Sequence, residues 1–410
     1  MKYTLSYSGG QSGSKIKLNG SKSISNRVLI IQALCGEAFS ITNLSNAKDT
    51  TTLNLLLASI ADDTLLDTGA AGTTFRFLTA YLAFQDGSQT LTGSPRMKER
   101  PIGVLVDALR KLGADITYLE KEGYPPLQIK NAKYNGVKEV QLPADVSSQY
   151  ISALMLIGPY LQNGLKIKLI GEIVSLPYLM MTKNLISFFG GDIDFETDTF
   201  TLRPSKYTAQ PFQVEGDWSA ASYYYAIVAF EKIGFQIRLE GIHKDSLQGD
   251  HVMMDIGNHF GVETSFDNGI ATLTKKQKVV IESFKYDFLL CPDIAQTVSV
   301  MMAGLDVQGE LTGLKTLRIK ETDRINALRV ELAKVLVKVN DHGQEDCFTQ
   351  VGKFDLSENT CFDTYEDHRM AMALASLAIY GPIQINEPNV VNKSYPEFWN
   401  DLKSLGFNIC

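Results

Sequence analysis

Leu112-Gly113-Ala114-Asp115-Ile116 closes an amphipathic stretch with a glycine and then runs into a strand-like segment. Glycine just past a helix is the expected stop, because it takes a positive φ without steric cost. The same junction returns at Phe189-Gly190-Gly191-Asp192-Ile193, at Phe260-Gly261-Val262-Glu263-Thr264 and at Leu405-Gly406-Phe407-Asn408-Ile409. These glycines lie about 77, 71 and 145 residues apart, the last spacing near twice the others. A unit of roughly 73 residues therefore recurs. A further copy is expected near 335–339, where the glycine is absent, and a shorter unit at the start of the chain.

A second series runs in step with the first. Polar motifs starting near Ser23, Gly72, Ser147, Asp217, Asp293 and Asp367 each open an apolar stretch of helical length. The stretches are 28–35, 75–84, 151–161, 223–230, 298–305 and 370–379. They are apolar almost all round rather than striped, the pattern of buried helices. Their starts carry Ser, Thr or Asp, which cap helix amino termini. A buried helix with a polar amino terminus suits an anion, since free N–H groups and the helix dipole both favour negative charge. Each unit then holds one buried helix, one surface helix and a few strands. The expected fold is α/β (α+β), with six units in two domains of three. If the six amino termini face a common cleft, the motifs meet there.

The composition fits this plan. At 410 residues the chain exceeds what one core usually supports. A net charge of -7 argues against polyanionic partners, nucleic acid and membrane surface alike, but not against a small anion held by a local cationic cluster. The amino-terminal residues lack the apolar core of a signal peptide, and the longest nearly apolar run, 151–161, is too short to span a bilayer. Five scattered cysteines show neither disulfide framework nor metal spacing, and the five histidines add no metal pattern. The expectation is a reduced, cytoplasmic chain, monomeric, with no metal.

Each motif admits a bland reading beside a functional one. Lys22, Ser23 and Arg27 in SKSISNR could clamp a phosphorylated substrate or belong to a Ser-rich cap. Two cations there oppose the helix dipole unless an anion binds, which favours the clamp. Gly69 to Arg76, GAAGTTFR, could bring backbone N–H groups to a phosphate or serve tight packing. In PRMKERP, 95–101, dense basic charge could bind an anion or line a solvated loop, with Pro101 suited to the first turn of the next helix. Ser147, Ser148 and Gln149 could bond a polyol or cap a helix, and Ser175 and Tyr178 are equally ambiguous. Asp293 with Gln296 matches a capping box, and as a lone segment the cap is favoured. Lys320, Glu321 and Arg324 could form ion pairs on a surface helix. Arg369 precedes an almost wholly apolar helix, so a purely solvated role fits it less well, and Lys393 carries little alone. Six of the eleven arginines (Arg27, Arg76, Arg96, Arg100, Arg324, Arg369) fall in these motifs, and Arg is the better residue for bidentate carboxylate and phosphate contacts.

Taken together, the segments resemble the enolpyruvylshikimate phosphate synthase family. The strings that carry the resemblance are SKSISNR, GAAGTTFR, LTGSPRMKERPIG, SSQ, VSLPY, VEGDWSAASY, PDIAQT, IKETDR, YEDHRMAMA and NKSYP, in family order from residue 21 to residue 396. The resemblance implies a two-domain inside-out α/β fold of six βαβαββ-like units, with buried parallel helices pointing at the interdomain cleft. It implies a first domain over 20–215, a second over 1–19 plus 216–410, and hinges near 19–20 and 215–216. It implies transfer of an enolpyruvyl group from phosphoenolpyruvate to shikimate 3-phosphate with no organic cofactor. By motif position, Lys22, Ser23, Arg27, Ser147, Ser148, Gln149, Ser175, Tyr178, Asp293, Thr316 and Lys320 would hold shikimate 3-phosphate. Thr316 stands where Asn often makes that contact, and its reach is shorter. Lys22, Gly72, Arg100, Gln149, Arg324, Arg369 and Lys393 would hold phosphoenolpyruvate. Asp293 would be the base for the attacking hydroxyl, with Glu321 and Lys22 serving the methylene and the leaving phosphate. The alternatives are the sister transferase that acts on a UDP-amino sugar through a loop cysteine, and a non-catalytic anion binder of the same fold.

Overall fold

The computed structural model describes residues 1–61, 64–358 and 360–410. The chain forms two compact units, Ser21–Val214 and Met1–Gly20 with Glu215–Cys410.

In Ser21–Val214, one sheet orders its strands Leu65–Asp67, Ser88–Thr92, Leu127–Lys130, Asp115–Tyr118. The first pair is parallel and the other pairs antiparallel. A parallel pair needs a crossover, supplied here by the helix Gly72–Leu82. A second helix, Gly103–Lys111, returns the chain to the far edge, and a hairpin completes a βαβαββ unit. The plan repeats with strands Glu139–Pro143, Leu165–Ile170, Thr199–Leu202 and Ile193–Glu196, crossed by the helices Ser148–Ile157 and Leu176–Phe188. The third unit is reduced: Ile41–Thr42 pairs in parallel with Phe212–Gln213 beside the helices Lys22–Cys35 and Lys48–Ser59.

In the other compact unit, Ser283–Asp287, Gln308–Thr312, Phe348–Gly352 and Val337–Asn340 repeat the same order. Two further sheets are completed by the start of the chain. Ser14–Lys17 pairs with Gln236–Glu240, and Lys2–Tyr7 lies between Ile383–Asn386 and Phe407–Ile409. The α/β class and the six-unit plan are therefore those expected.

The sequence explains the layering. Leu165, Ile167 and Leu169 alternate with more exposed residues, so one sheet face packs on helices and the other meets solvent. The helix Trp218–Phe230 is buried on almost every side, including Trp218, Tyr223, Tyr224 and Tyr225. Full burial of each such side chain is worth about 1.5–3 kcal/mol. Gly113, Gly190, Gly261 and Gly406 all take positive φ just past a helix. At Gly261 a Cβ would lie 2.2 Å from the Gln277 carbonyl oxygen. The expected junction without glycine is also present. After the helix Arg324–Ala333, Leu336 takes φ 62 before the strand Val337–Asn340. That left-handed turn costs an L residue roughly 1–2 kcal/mol.

Two local expectations need correction. Pro101 precedes the N-cap Ile102 and is not in the first turn of Gly103–Lys111. Asp293 does not cap the helix that follows it. It sits in the 3-10 turn Pro292–Ile294, ahead of Ala295–Gly304. Its oxygens face arginines instead, and charge-assisted bonds are stronger than a bond to a backbone N–H.

Candidate active site

Within Ser21–Val214, the first turns of the buried helices carry a chain of polar contacts. Arg27, one turn into Lys22–Cys35, is buried. Its guanidinium donates to Thr182 Oγ1 at 2.7 Å, the Ser23 carbonyl at 2.8 Å, Ser152 Oγ at 3.1 Å and the Tyr178 carbonyl at 3.3 Å. Every one of these oxygens is neutral. Burial lowers the Arg27 pKa to about 10, so the group stays charged at neutral pH. Lys22 reaches Asp49 Oδ2 at 3.5 Å, and the Asp49 carbonyl accepts from Thr74 Oγ1 at 2.8 Å. This links the first helix to the Gly72 turn.

At that turn a Cβ on Gly72 would lie 2.5 Å from Arg76 Nη1 and 2.6 Å from Arg100 Nη1, so a side chain there would push both guanidinium ends aside. Arg76 Nη1 donates to Gln149 Oε1 at 2.9 Å, and Gln149 Nε2 donates to Thr73 Oγ1 at 3.0 Å. Ser147 caps Ser148–Ile157, accepting from the Gln149 N–H. Ser175 is buried and holds φ 56 at the start of Leu176–Phe188. The dense charge of PRMKERP divides. Arg96 pairs with Glu99 and Lys98 with Glu120, mostly at the surface, where such pairs contribute at most about 1 kcal/mol. Arg100 alone of the three turns toward Gly72. Arg96 therefore does not join the others.

In the other compact unit the cations meet carboxylates. Arg324 is buried at the start of its helix. It donates to Asp367 Oδ2 at 2.7 Å, Glu321 Oε2 at 3.0 Å and Asp293 Oδ1 at 3.3 Å. Burial opposes its charge, and Asp367, Glu321 and Asp293 more than restore it. Arg369 Nη2 lies 2.9 Å from Asp293 Oδ2, Lys320 Nζ 3.7 Å from Asp293 Oδ1, and Lys393 Nζ 2.7 Å from Glu321 Oε1. Burial pushes the Lys320 ammonium pKa down, against the pull of Asp293. Surface pairing along a helix is excluded for Arg324, and a solvated role for Arg369. Asp293 and Glu321 become neighbours because Arg324 bridges them. Thr316 lies in the short helix Lys315–Ile319, and its hydroxyl has no hydrogen-bond partner among the described residues.

Some residues of this cluster were not legible from motifs. Asp367 reads from the sequence only as a cap; it does cap His368–Ala375, and it also holds Arg324. Asp250, in the 3-10 turn Gly249–Val252, is buried and accepts from Ser219 Oγ. Burial and then the nearby Asp293 charge raise its pKa to about 7, against the opposing influence of Arg369 and Ser219. Nothing in the local sequence, Gln248-Gly249-Asp250-His251, marks it out.

Among the described residues, no group of three or more His, Cys, Asp or Glu is arranged to hold a metal ion, and no helix is long and apolar enough to cross a membrane. The arrangement suits substrates rich in negative charge, with two carboxylates available for proton transfer. The family model for EPSP synthase (3-phosphoshikimate 1-carboxyvinyltransferase) matches residues 56–402. A 3-phosphoshikimate 1-carboxyvinyltransferase of Bacteroides fragilis (strain YCH46) is 45% identical over 412 residues, covering 100% of this chain and 99% of its own. One of Sulfurovum sp. (strain NBC37-1) is 36% identical, covering 95% and 96%. The solved EPSP synthase of Acinetobacter baumannii superposes with a TM-score of 0.79 at 20% identity, over 100% of this chain and 99% of that one, which bears on the fold alone. The chain belongs to the EPSP synthase family, a family of transferases.

Proposed function

We propose that this chain transfers the enolpyruvyl group of phosphoenolpyruvate to the hydroxyl of shikimate 3-phosphate and releases phosphate, through a tetrahedral addition–elimination intermediate. The observation that carries the reading is Asp293, a carboxylate touched by Arg324, Arg369 and Lys320. The two substrates bring two phosphates and two carboxylates, and those anions would draw the cations away from Asp293. A carboxylate relieved of its ion pairs is a stronger base.

Asp293 is then the base for the attacking hydroxyl. Glu321 with Lys22 moves protons at the methylene carbon and the leaving phosphate, and the roles reverse as phosphate departs. Lys22, Ser23, Arg27, Ser147, Ser148, Gln149, Ser175, Tyr178, Asp293, Thr316 and Lys320 hold shikimate 3-phosphate. Lys22, Gly72, Arg100, Gln149, Arg324, Arg369 and Lys393 hold phosphoenolpyruvate. The crowding at Gly72 supports its place in that set, since any side chain there would displace two guanidiniums. The two compact units serve as the two domains, with hinges near 19–20 and 215–216. The enzyme acts as a cytoplasmic monomer on small molecules and needs no cofactor.

The sister reaction on a UDP-amino sugar depends on a cysteine acid. Cys291 is the nearest candidate here, but burial, with Asp250 adding to it, pushes its thiol far above the ordinary range. Phosphate release from phosphoenolpyruvate, measured with shikimate 3-phosphate and with the sugar nucleotide in parallel, tests the assignment. Release is expected with shikimate 3-phosphate. Release with the sugar nucleotide alone, or with neither acceptor, overturns it.

A further inference from the structure

Glu331 lies two helical turns beyond Arg324 on Arg324–Ala333, so both project from one face of that helix. The face grips a single segment, 361–367, at both ends. At the far end Arg324 holds Asp367. At the near end Glu331, a fully buried carboxylate, accepts from Tyr365 OH at 2.6 Å and from the Asp363 backbone N–H at 3.0 Å. Lys334 completes the near grip, donating to Glu331 Oε2 at 2.7 Å, the Cys361 carbonyl at 2.9 Å and Asp363 Oδ2 at 3.2 Å.

Between the two grips, Tyr365 and Glu366 take φ 53 and 56 in succession. Neither is glycine, so the surroundings must hold this pair of left-handed residues in place. The residue directly after them is Asp367, whose Oδ1 accepts from the Arg369 N–H at 2.8 Å and whose Oδ2 receives Arg324. A shift in the turn therefore moves a carboxylate that holds the Arg324 guanidinium and the backbone N–H of Arg369. Glu331 itself makes none of the contacts of the Asp293–Glu321 cluster, so its influence passes through the turn. Burial and then Glu331 push the Tyr365 phenol upward, which keeps it a proton donor across the working pH range.

We propose that the Glu331–Tyr365 hydrogen bond is a positioning clamp that fixes Asp367, and through it the joint aim of Arg324 and Arg369 at the phosphoenolpyruvate anion. The proposal rests on the assignment of those two arginines to phosphoenolpyruvate. Tyr365→Phe removes one hydroxyl and leaves the ring against the core; Glu331→Gln keeps the shape and removes the charge. Steady-state kinetics on both, with Arg369→Lys as a reference and circular dichroism to check folding, separate the possibilities. The expected result is a roughly tenfold rise in KM for phosphoenolpyruvate in Tyr365→Phe and a larger one in Glu331→Gln, with KM for shikimate 3-phosphate within twofold. A role in stability alone lowers Tm and leaves the ratio of the two KM values unchanged. If Arg369→Lys raises KM for phosphoenolpyruvate while folded Tyr365→Phe and Glu331→Gln do not, the clamp is refuted. If Arg369→Lys has no effect on it, the assignment of the arginines fails, and the clamp fails with it.

Discussion

Arg27 and Arg324 are both buried guanidiniums near the start of a helix, one in each compact unit, and they are held in opposite ways. Arg27 spends its donors on hydroxyls and carbonyls. Arg324 spends its donors on three carboxylates. The first arrangement leaves a net positive charge for an incoming anion. The second is close to neutral and places two proton acceptors, Asp293 and Glu321, against cations that a substrate could claim. On the proposed assignment, the first offers its charge to an anion directly, while the second releases its charge only as substrate displaces the carboxylates.

The largest expected effect is on turnover. Asp293→Asn keeps the shape of the acceptor of Arg324 and Arg369 but cannot take a proton. kcat should fall about a thousandfold, roughly 4 kcal/mol in barrier, measured as phosphate release. An unchanged kcat would move the base elsewhere.

Next comes stability. Arg324→Met leaves Asp367, Glu321 and Asp293 without their shared partner and should cost about 3–5 kcal/mol in urea unfolding. Arg27→Met strands no carboxylate, and Ser152 and Thr182 still bond each other at 2.9 Å. Its cost should be about 1 kcal/mol, while KM for shikimate 3-phosphate rises. Equal costs would erase the contrast between the units.

The pH response sharpens the contrast further. Asp250 has a folded pKa raised to about 7, so the folded state binds its proton more tightly than the unfolded chain. The stability this contributes is present below the ordinary carboxylate range and is lost as pH rises from about 4 through about 7. Thermal unfolding without substrate should therefore show the wild type losing stability relative to Asp250→Asn across that window. Parallel curves would place the proton on another group.

The smallest effect concerns the scaffold. Gly113, Gly190, Gly261 and Gly406 follow their helices with positive φ, whereas Leu336, a residue 61% exposed, takes that place after Arg324–Ala333. Leu336→Gly gives up little burial and relieves the backbone. A gain of up to about 1 kcal/mol is expected in urea unfolding.

Much of this was legible because it was local. All-apolar helices and glycine stops follow from the identity of a few neighbouring residues, so the repeat could be counted directly. Lys22 and Arg27 stood out as cations that oppose a helix dipole, and Arg369 as a cation before an apolar helix, whereas Arg324 could equally be read as part of a surface ion pair. What escaped depended on distance through the fold. Asp293 reads as a cap because Gln296 follows it, and only the approach of Arg324 and Arg369 withdraws it from that role. Asp250 belongs to the cluster only because a 3-10 turn brings it beside Ser219 and Asp293. Arg96 and Arg100 are indistinguishable in PRMKERP until the short helix Pro95–Lys98 turns one outward and the other toward Gly72.

The position of Lys2–Tyr7 between Ile383–Asn386 and Phe407–Ile409 bears on the birth of the molecule. Ser21–Val214 is continuous, and its strands all pair with one another, so its folding need not wait for the rest of the chain. The strand Lys2–Tyr7 emerges ahead of that unit and has no partners until translation reaches Ile383–Asn386 and then Phe407–Ile409. At about 5–20 residues per second that interval is roughly 20–80 s. Throughout it, a strand edge that ends in the middle of a sheet is exposed, and the finished half of the protein hangs beside an unfinished one. Nascent chains stalled before residue 383 should therefore resist protease over 21–214 and be cut readily elsewhere.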